Sequence, residues 1–174
     1  MRFRPTLLLY LSVAAGLHGC AGDGPLERAV QVPAQAAGEA AGEEKALILA
    51  VLNAETRDAL SRDYQGWRCH WVHEPYVVKT YVNAADGTGS ETMGWADVDA
   101  SVRAYIEADP EPEPPPSPLE DADVRLYGDG AWVSYQQDDA DQGRKRESRL
   151  MEKVDGAWRI AAMHTTVYGP AQAD

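Results

Sequence analysis

The stretch Arg144 to Tyr168, RKRESRLMEKVDGAWRIAAMHTTVY, constrains the fold more than any other part of the chain. Two runs with strand-like alternation flank Asp155-Gly156, a pair whose tolerance of positive φ suits a tight hairpin turn. Successive side chains of a strand point to opposite faces, so the second run is predicted to carry Trp158, Ile160, Ala162, His164 and Thr166 on one face. That face leads along apolar residues to a histidine. On the first run Glu147, Arg149, Met151 and Lys153 alternate with Ser148, Leu150 and Glu152. Charged residues that share a covered face with large apolar ones can form the floor of a pocket.

The series Glu147-Ser-Arg-Leu-Met-Glu-Lys-Val-Asp-Gly-Ala-Trp-Arg-Ile160, followed by Met163-His-Thr-Thr166, resembles the closing strands of the NTF2-like superfamily. Within it, the SnoaL-like and DUF4440 domains and the association domain of calcium/calmodulin-dependent kinase II are most similar, and the resemblance spans Glu43 to Gly169. It implies an α+β fold, a curved antiparallel sheet wrapped by N-terminal helices into a cone with a cavity, in a homodimer or larger homo-oligomer. The superfamily hosts isomerases, dehydratases, cyclases and plain binding or assembly modules, so the fold alone does not fix an activity. In association-domain relatives an arginine at the position of Arg149 faces the cavity, and His164 falls on the matching position of the neighbouring strand. A guanidinium in an apolar cavity is costly to leave unpaired, so Arg149 should meet a carboxylate such as Glu147 or Asp63, or receive an anionic ligand. The ligand site so implied comprises Arg149, His164 and Tyr64, with Trp67 or Trp95 as a stacking surface, for a small carboxylate-bearing or otherwise polar aromatic ligand.

The start of the chain reads as an address. Met1-Arg2-Phe3-Arg4 is followed by an apolar run from Leu7 to Leu17, too short to span a bilayer, and then by His18-Gly19-Cys20. Leu17-His18-Gly19-Cys20 resembles the bacterial lipobox, whose cysteine is acylated, with His18 an unusual occupant. The alternative is an ordinary secretory signal with a cysteine nearby. Ala21 and Gly22 after the cysteine resemble sorted lipoproteins of the outer membrane, in its periplasmic leaflet or at the cell surface. No later stretch has spanning length, so a lipid would be the only membrane anchor. Loss of Arg2 and Arg4 with residues 1–19 takes the net charge from −12 to −14. Such a chain, with no basic patch, is unsuited to nucleic acid. Residues 20–42, rich in Ala, Gly, Gln and Pro, read as a flexible tether, 43–169 as the domain and 170–174 as a tail. Cys69 is expected to be free and buried, against the alternative of a disulfide to Cys20.

Within the domain, Leu47, Ile48, Val51, Leu52, Ala59 and Leu60 recur at helical spacing behind Glu43-Glu44. Leu60, Tyr64, Trp67 and Trp71 continue that stripe, with a break near Ser61 or Gly66. Two readings stand for its aromatics: core packing against the sheet, or Tyr64 and Trp67 turning polar atoms into a cavity. Tyr76 to Val82 and Glu91 to Met93 read as strands, and Trp95, Val98, Val102, Tyr105 and Ile106 as a helix behind Gly94. Pro110 to Pro118 is a stiff polyproline spacer, either a lip over the cavity mouth or a surface loop. Val124 to Leu126 and Ala131 to Gln137 complete the strands, and Asp138 to Gly143 is a hairpin turn rather than a calcium loop.

For chemistry, a superfamily enzyme needs a carboxylate or histidine in an apolar cavity, and Asp63, His73, Glu74 and His164 are the candidates for acid/base work. None completes a motif. His70, His73 and Glu74 are metal-ligand types without a metal-site spacing, so no metal is expected, and no phosphate loop, dinucleotide fingerprint or nucleophile elbow points to a cofactor. Cys69 and His70 are consecutive and need not meet. The expectation is an envelope-anchored ligand-binding or assembly module, with a SnoaL-like enzyme as the alternative.

Overall fold

A computed structural model of the protein describes residues 34–139 and 143–169. The segment read as a signal, Cys20 and the tail 170–174 lie outside them. Three helices, α1 (Ala34–Leu60), α2 (Tyr64–Cys69) and α3 (Trp95–Ala108), accompany six strands: β1 (Val78–Asn83), β2 (Thr88–Met93), β3 (Asp123–Tyr127), β4 (Gly130–Asp139), β5 (Gly143–Val154) and β6 (Ala157–Val167). The strands form one sheet in the order β2-β1-β6-β5-β4-β3. All its pairings are antiparallel except β1 with β6, which is parallel, so the sheet is mixed where an antiparallel one was expected. The partner of β1 lies at the far end of the chain, a pairing that no local alternation can reveal.

α1 starts at Ala34, inside the stretch read as a tether. Alanine has the strongest intrinsic helix preference, and residues 38–43 are helical while exposed. Glu44 ties the helix to the sheet, accepting from Lys153 Nζ at 2.5 Å and from the Trp158 indole at 2.6 Å. The buried stripe then runs Ile48, Leu52, Glu55, with Ala59 partly buried beyond it, at helical intervals. Leu47, expected on that stripe, points away and is 55 % exposed.

The turn between β5 and β6 has Asp155 at φ 53° and Gly156 at φ 79°, as the two-residue hairpin demands. The register of the two strands breaks between Leu150 and Met151: Leu150 pairs with Ala162, but Met151 pairs with Ile160. Ala161 is therefore the extra residue of a β-bulge, and the bulge reverses the facing of everything after it. Trp158 and Ile160 share the inner face with Met163, Thr165 and Val167, while Ala162, His164 and Thr166 turn outward. The helices cover the inner face. Trp67, Trp71, Ile48, Met151, Ile160, Val98 and Val133 are the largest side chains buried there.

Candidate functional site

The strand registers define rows across the inner face. Tyr81, Thr165, Glu147 and Tyr135 form one row, and Lys79, Met163, Arg149, Val133 and Val124 form the next. Glu55 reaches toward these rows from the buried stripe of α1. Two carboxylates and two cations thus occupy the interior beside a phenol, with Glu55 and Glu147 each 7 % exposed and Arg149 3 % exposed.

Each group is held by specific partners. Arg149 Nη2 meets Glu147 Oε2 at 2.5 Å, Nη1 donates to the Ser148 carbonyl at 3.2 Å, and the guanidinium lies 5.7 Å from the Tyr135 ring centroid. Arg149 Nε is buried with no hydrogen-bond partner among the described residues. Burial works against the Arg149 cation, but Glu147, Tyr135 and Glu55 together more than offset this and raise its pKa. Thr165 Oγ1 donates to the same Glu147 oxygen at 3.2 Å. Desolvation pushes the Tyr135 phenol well above its ordinary range. Glu55 Oε1 accepts two indole N–H groups, from Trp67 at 2.8 Å and Trp71 at 3.2 Å. Lys79 is half-buried with its pKa lowered, first by desolvation.

The expected ligand residues are not brought together. Tyr64, Trp67 and Trp95 do associate, in a stack with centroid separations of 6.3 Å and 5.8 Å, and His73 continues it at 4.0 Å from Trp95. That stack lies between α2 and α3, with Trp67 as its inner member. Tyr64 is spent on the helix surface, donating to Asp99 at 2.5 Å and accepting from Arg103 at 2.7 Å. His164 is on the opposite face of the sheet from Arg149, exposed, with Nε2 3.1 Å from Thr166 Oγ1, because the Ala161 bulge reversed its facing.

The acid/base candidates are also placed elsewhere. Asp63 is exposed and caps α2, accepting from the Gly66 amide at 2.9 Å. His73 is exposed and donates to the Arg68 carbonyl at 2.9 Å, and Glu74 is exposed. His70 pairs with Asp58 at 2.8 Å. No cluster of potential metal ligands occurs among the described residues. Cys69 has no disulfide partner among the described residues and is exposed rather than buried, since α2 turns Trp67 inward.

The proline-rich segment lies along α1 as a strap. Arg62, at φ 63°, grips one end through Asp109 and Glu113 at 3.0 Å and 2.6 Å, and Asn53 holds the other by a two-way bond to the Leu119 backbone at 2.7 and 3.0 Å. Between strap, α1 and β4 lies a cleft of about 230 Å³, lined by Leu52, Thr56, Pro116, Pro118, Tyr135 and Gln137 among others. Tyr135 closes the cleft floor and touches the charged interior on its other side. Glu55, Lys79 and Tyr135 were not singled out from the sequence. For Glu55 a signal existed: a carboxylate at the position where the apolar stripe of α1 calls for a hydrophobic residue.

Residues 48–168 match the family described as SnoaL-like domain. Among solved structures, a cystatin-like fold protein from Burkholderia xenovorans LB400 is similar at TM-score 0.55 and 21 % identity, covering 73 % of this chain and 93 % of that one. An NTF2-like protein of unknown function from Pseudomonas putida KT2440 gives 0.54 at 15 % identity, covering 72 % and 87 %. An NTF2-like-family protein from Streptomyces avermitilis, provisionally assigned as a dehydratase, gives 0.53 at 14 % identity, covering 73 % and 97 %. At such identities the likeness is one of fold. No curated protein matches the chain.

Proposed function

We propose, from the premise that this chain belongs to the SnoaL-like domain family, that it is an envelope-anchored binding module for a small carboxylate-bearing aromatic or similar polar ligand. The ligand reaches the interior through the cleft under the proline strap. The observation that carries this reading is Arg149, a fully buried guanidinium with Nε unpartnered, stacked behind the tyrosine that floors the cleft. A buried donor without a partner forfeits about 1–3 kcal/mol that a carboxylate oxygen would return. Tyr135 takes over the stacking role first given to Trp67 and Trp95.

Calorimetry with 3-phenylpropionate on the wild type and on Thr56→Trp tests this. Saturable binding is expected for the wild type and its loss in Thr56→Trp, which fills the cleft without touching the charges. Binding that persists unchanged in Thr56→Trp, or no binding to the wild type, contradicts it. A second reading, an isomerase, dehydratase or cyclase, rests on Glu55, whose Oε2 makes no hydrogen bond among the described residues. A bound acid recovered chemically altered would favour it.

The proposal includes a lipid anchor at Cys20, in the outer membrane or at the cell surface, and self-association through the outer face of the sheet. Supporting association is the row Trp132, Leu150, Ala162, Val78, Met93, where Trp132, Leu150 and Met93 are 43 %, 38 % and 63 % exposed. The adjacent row is uncharged in its middle, Ser134, Ser148, His164 and Thr80, and ends on the carboxylates Asp123 and Glu91 at the two sheet edges. Copies that repel overall meet most cheaply over the apolar and uncharged middle of that face. Native mass spectrometry of membrane-extracted protein reads both features, with an acylated N-terminal Cys20 and two or more copies expected. An unmodified chain removes the anchor, and a strict monomer removes the assembly.

A further inference from the structure

A second cleft lies between α2 and α3 and shares no lining residue with the one under the strap. It holds about 450 Å³ and is lined by Tyr64, Gln65 and Arg68 of α2 and by Arg103, Ile106 and Glu107 of α3. Two guanidiniums thus line one small volume in a chain of net charge −12. Both also lie near the Tyr64 ring, Arg103 at 5.1 Å and Arg68 at 5.8 Å from its centroid. Like charges drawn together around one ring call for an anion, and Asp99 serves the pair only in part. Its Oδ2 accepts from Arg103 Nη2 at 2.9 Å and its Oδ1 from the Tyr64 hydroxyl at 2.5 Å, while Arg68 Nε stands 3.8 Å away, beyond hydrogen-bond reach.

The result is a surplus of donors. Arg68 makes no hydrogen bond among the described residues, and its Nε is buried without a partner there. Arg103 bonds only through Nη2, to Asp99 and to the Tyr64 hydroxyl at 2.7 Å, so its Nε and Nη1 are unused among the same residues. Glu107 follows Arg103 by four positions, as Asp99 precedes it by four, yet Arg103 turns to Asp99 and Glu107 pairs with neither arginine. The bonds among Tyr64, Asp99 and Arg103 fix α2 against α3, so this wall of the cleft is organised before any ligand arrives.

The number and placement of the donors select the ligand. A carboxylate has two oxygens in one plane and is matched by a single guanidinium fork, whereas forks from two different helices suit a tetrahedral group with three acceptor oxygens. We propose that the cleft between α2 and α3 is a phosphate-binding site, in which Arg68 and Arg103 grip the phosphate and Ile106 receives the apolar body of an ester. Glu107, on the same cleft, works against the anion and holds the affinity down. The site is independent of the interior and of the cleft under the strap.

The test is calorimetry with phenyl phosphate, inorganic phosphate and benzoate on the wild type, Arg68→Gln, Glu107→Gln and Thr56→Trp. Phenyl phosphate is expected to bind the wild type saturably and to lose at least about tenfold in affinity in Arg68→Gln, the scale of hydrogen bonds to a charged group. Glu107→Gln should tighten it about two- to fourfold at low salt, as removal of one exposed like charge allows. Glu107 is exposed and makes no ion pair among the described residues, so this variant keeps the fold and reads the site without disturbing the aromatic stack that Arg68 covers. Thr56→Trp should leave phenyl phosphate binding unchanged, and benzoate should show no dependence on Arg68. Tighter binding of phenyl phosphate than of inorganic phosphate assigns the site to an ester, and equal binding assigns it to the free ion. Failure of both phosphates to bind the wild type, an affinity unchanged in Arg68→Gln or in Glu107→Gln, or a loss in Thr56→Trp overturns the site. An equal loss for benzoate in Arg68→Gln overturns its assignment to phosphate. None of these outcomes bears on 3-phenylpropionate in the strap cleft, whose own test stands apart.

Discussion

Arg149→Met is expected to lower the unfolding free energy by about 3–5 kcal/mol, the usual cost of removing one partner from a buried ion pair. Glu147 would keep its Thr165 donor but lose the only cation within bonding reach among the described residues, at a position 7 % exposed. The cost is a large fraction of the roughly 5–15 kcal/mol that holds a typical domain together. The double variant Arg149→Met/Glu147→Met should recover most of it, since an apolar pair needs no compensation. Denaturant unfolding of the three proteins decides the matter. A single-variant loss below about 1 kcal/mol, the range of exposed pairs, would mean that this pair is solvated rather than buried.

Deletion of Ala161 is expected to be more damaging still. The side-chain period of a strand is two, so removing the bulge residue forces one half of β6 to exchange faces. Either Trp158 and Ile160 leave the core, or Met163, Thr165 and Val167 do so and His164 is driven inward. Each large apolar side chain turned out forfeits roughly 1.5–3 kcal/mol, before any cost of burying an imidazole. The deletion variant should show no cooperative melting, whereas Ala161→Ser, which keeps the register, should melt cooperatively. A deletion variant that melts like the wild type would contradict the bulge.

The same residue marks where the sequence stops being legible. Asp155-Gly156, the helix behind Gly94 and the alternation of β5 each carry their own local chemistry, and the structure realises all three. Period-two reasoning on β6 holds to Ile160 and fails at Ala161, because nothing in Ala161-Ala162 distinguishes a bulge from a straight strand. His164 was misplaced for that reason alone. The parallel pairing of β1 with β6 is set by the whole sheet and leaves no trace in Val78 to Asn83. Asp63 and His73 looked chemical because they are polar residues beside aromatics, but a cap and a carbonyl contact account for them. Glu55 was hidden by the opposite effect, standing in an apolar stripe that draws the eye to its neighbours. Arg149 with Glu147 was legible because the two share a strand face next to large apolar residues.

Methionine positions in the fold offer the most direct test of the claim that a small aromatic acid binds inside the domain beside Arg149. Met163 lies between Lys79 and Arg149 on the inner face, and Met93 lies on the outer face, 63 % exposed. With the methionine methyls labelled for NMR, titration of 3-phenylpropionate should shift the Met163 methyl saturably and leave Met93 unmoved. A titration that moves Met93 alone, or moves neither, would contradict an interior ligand site.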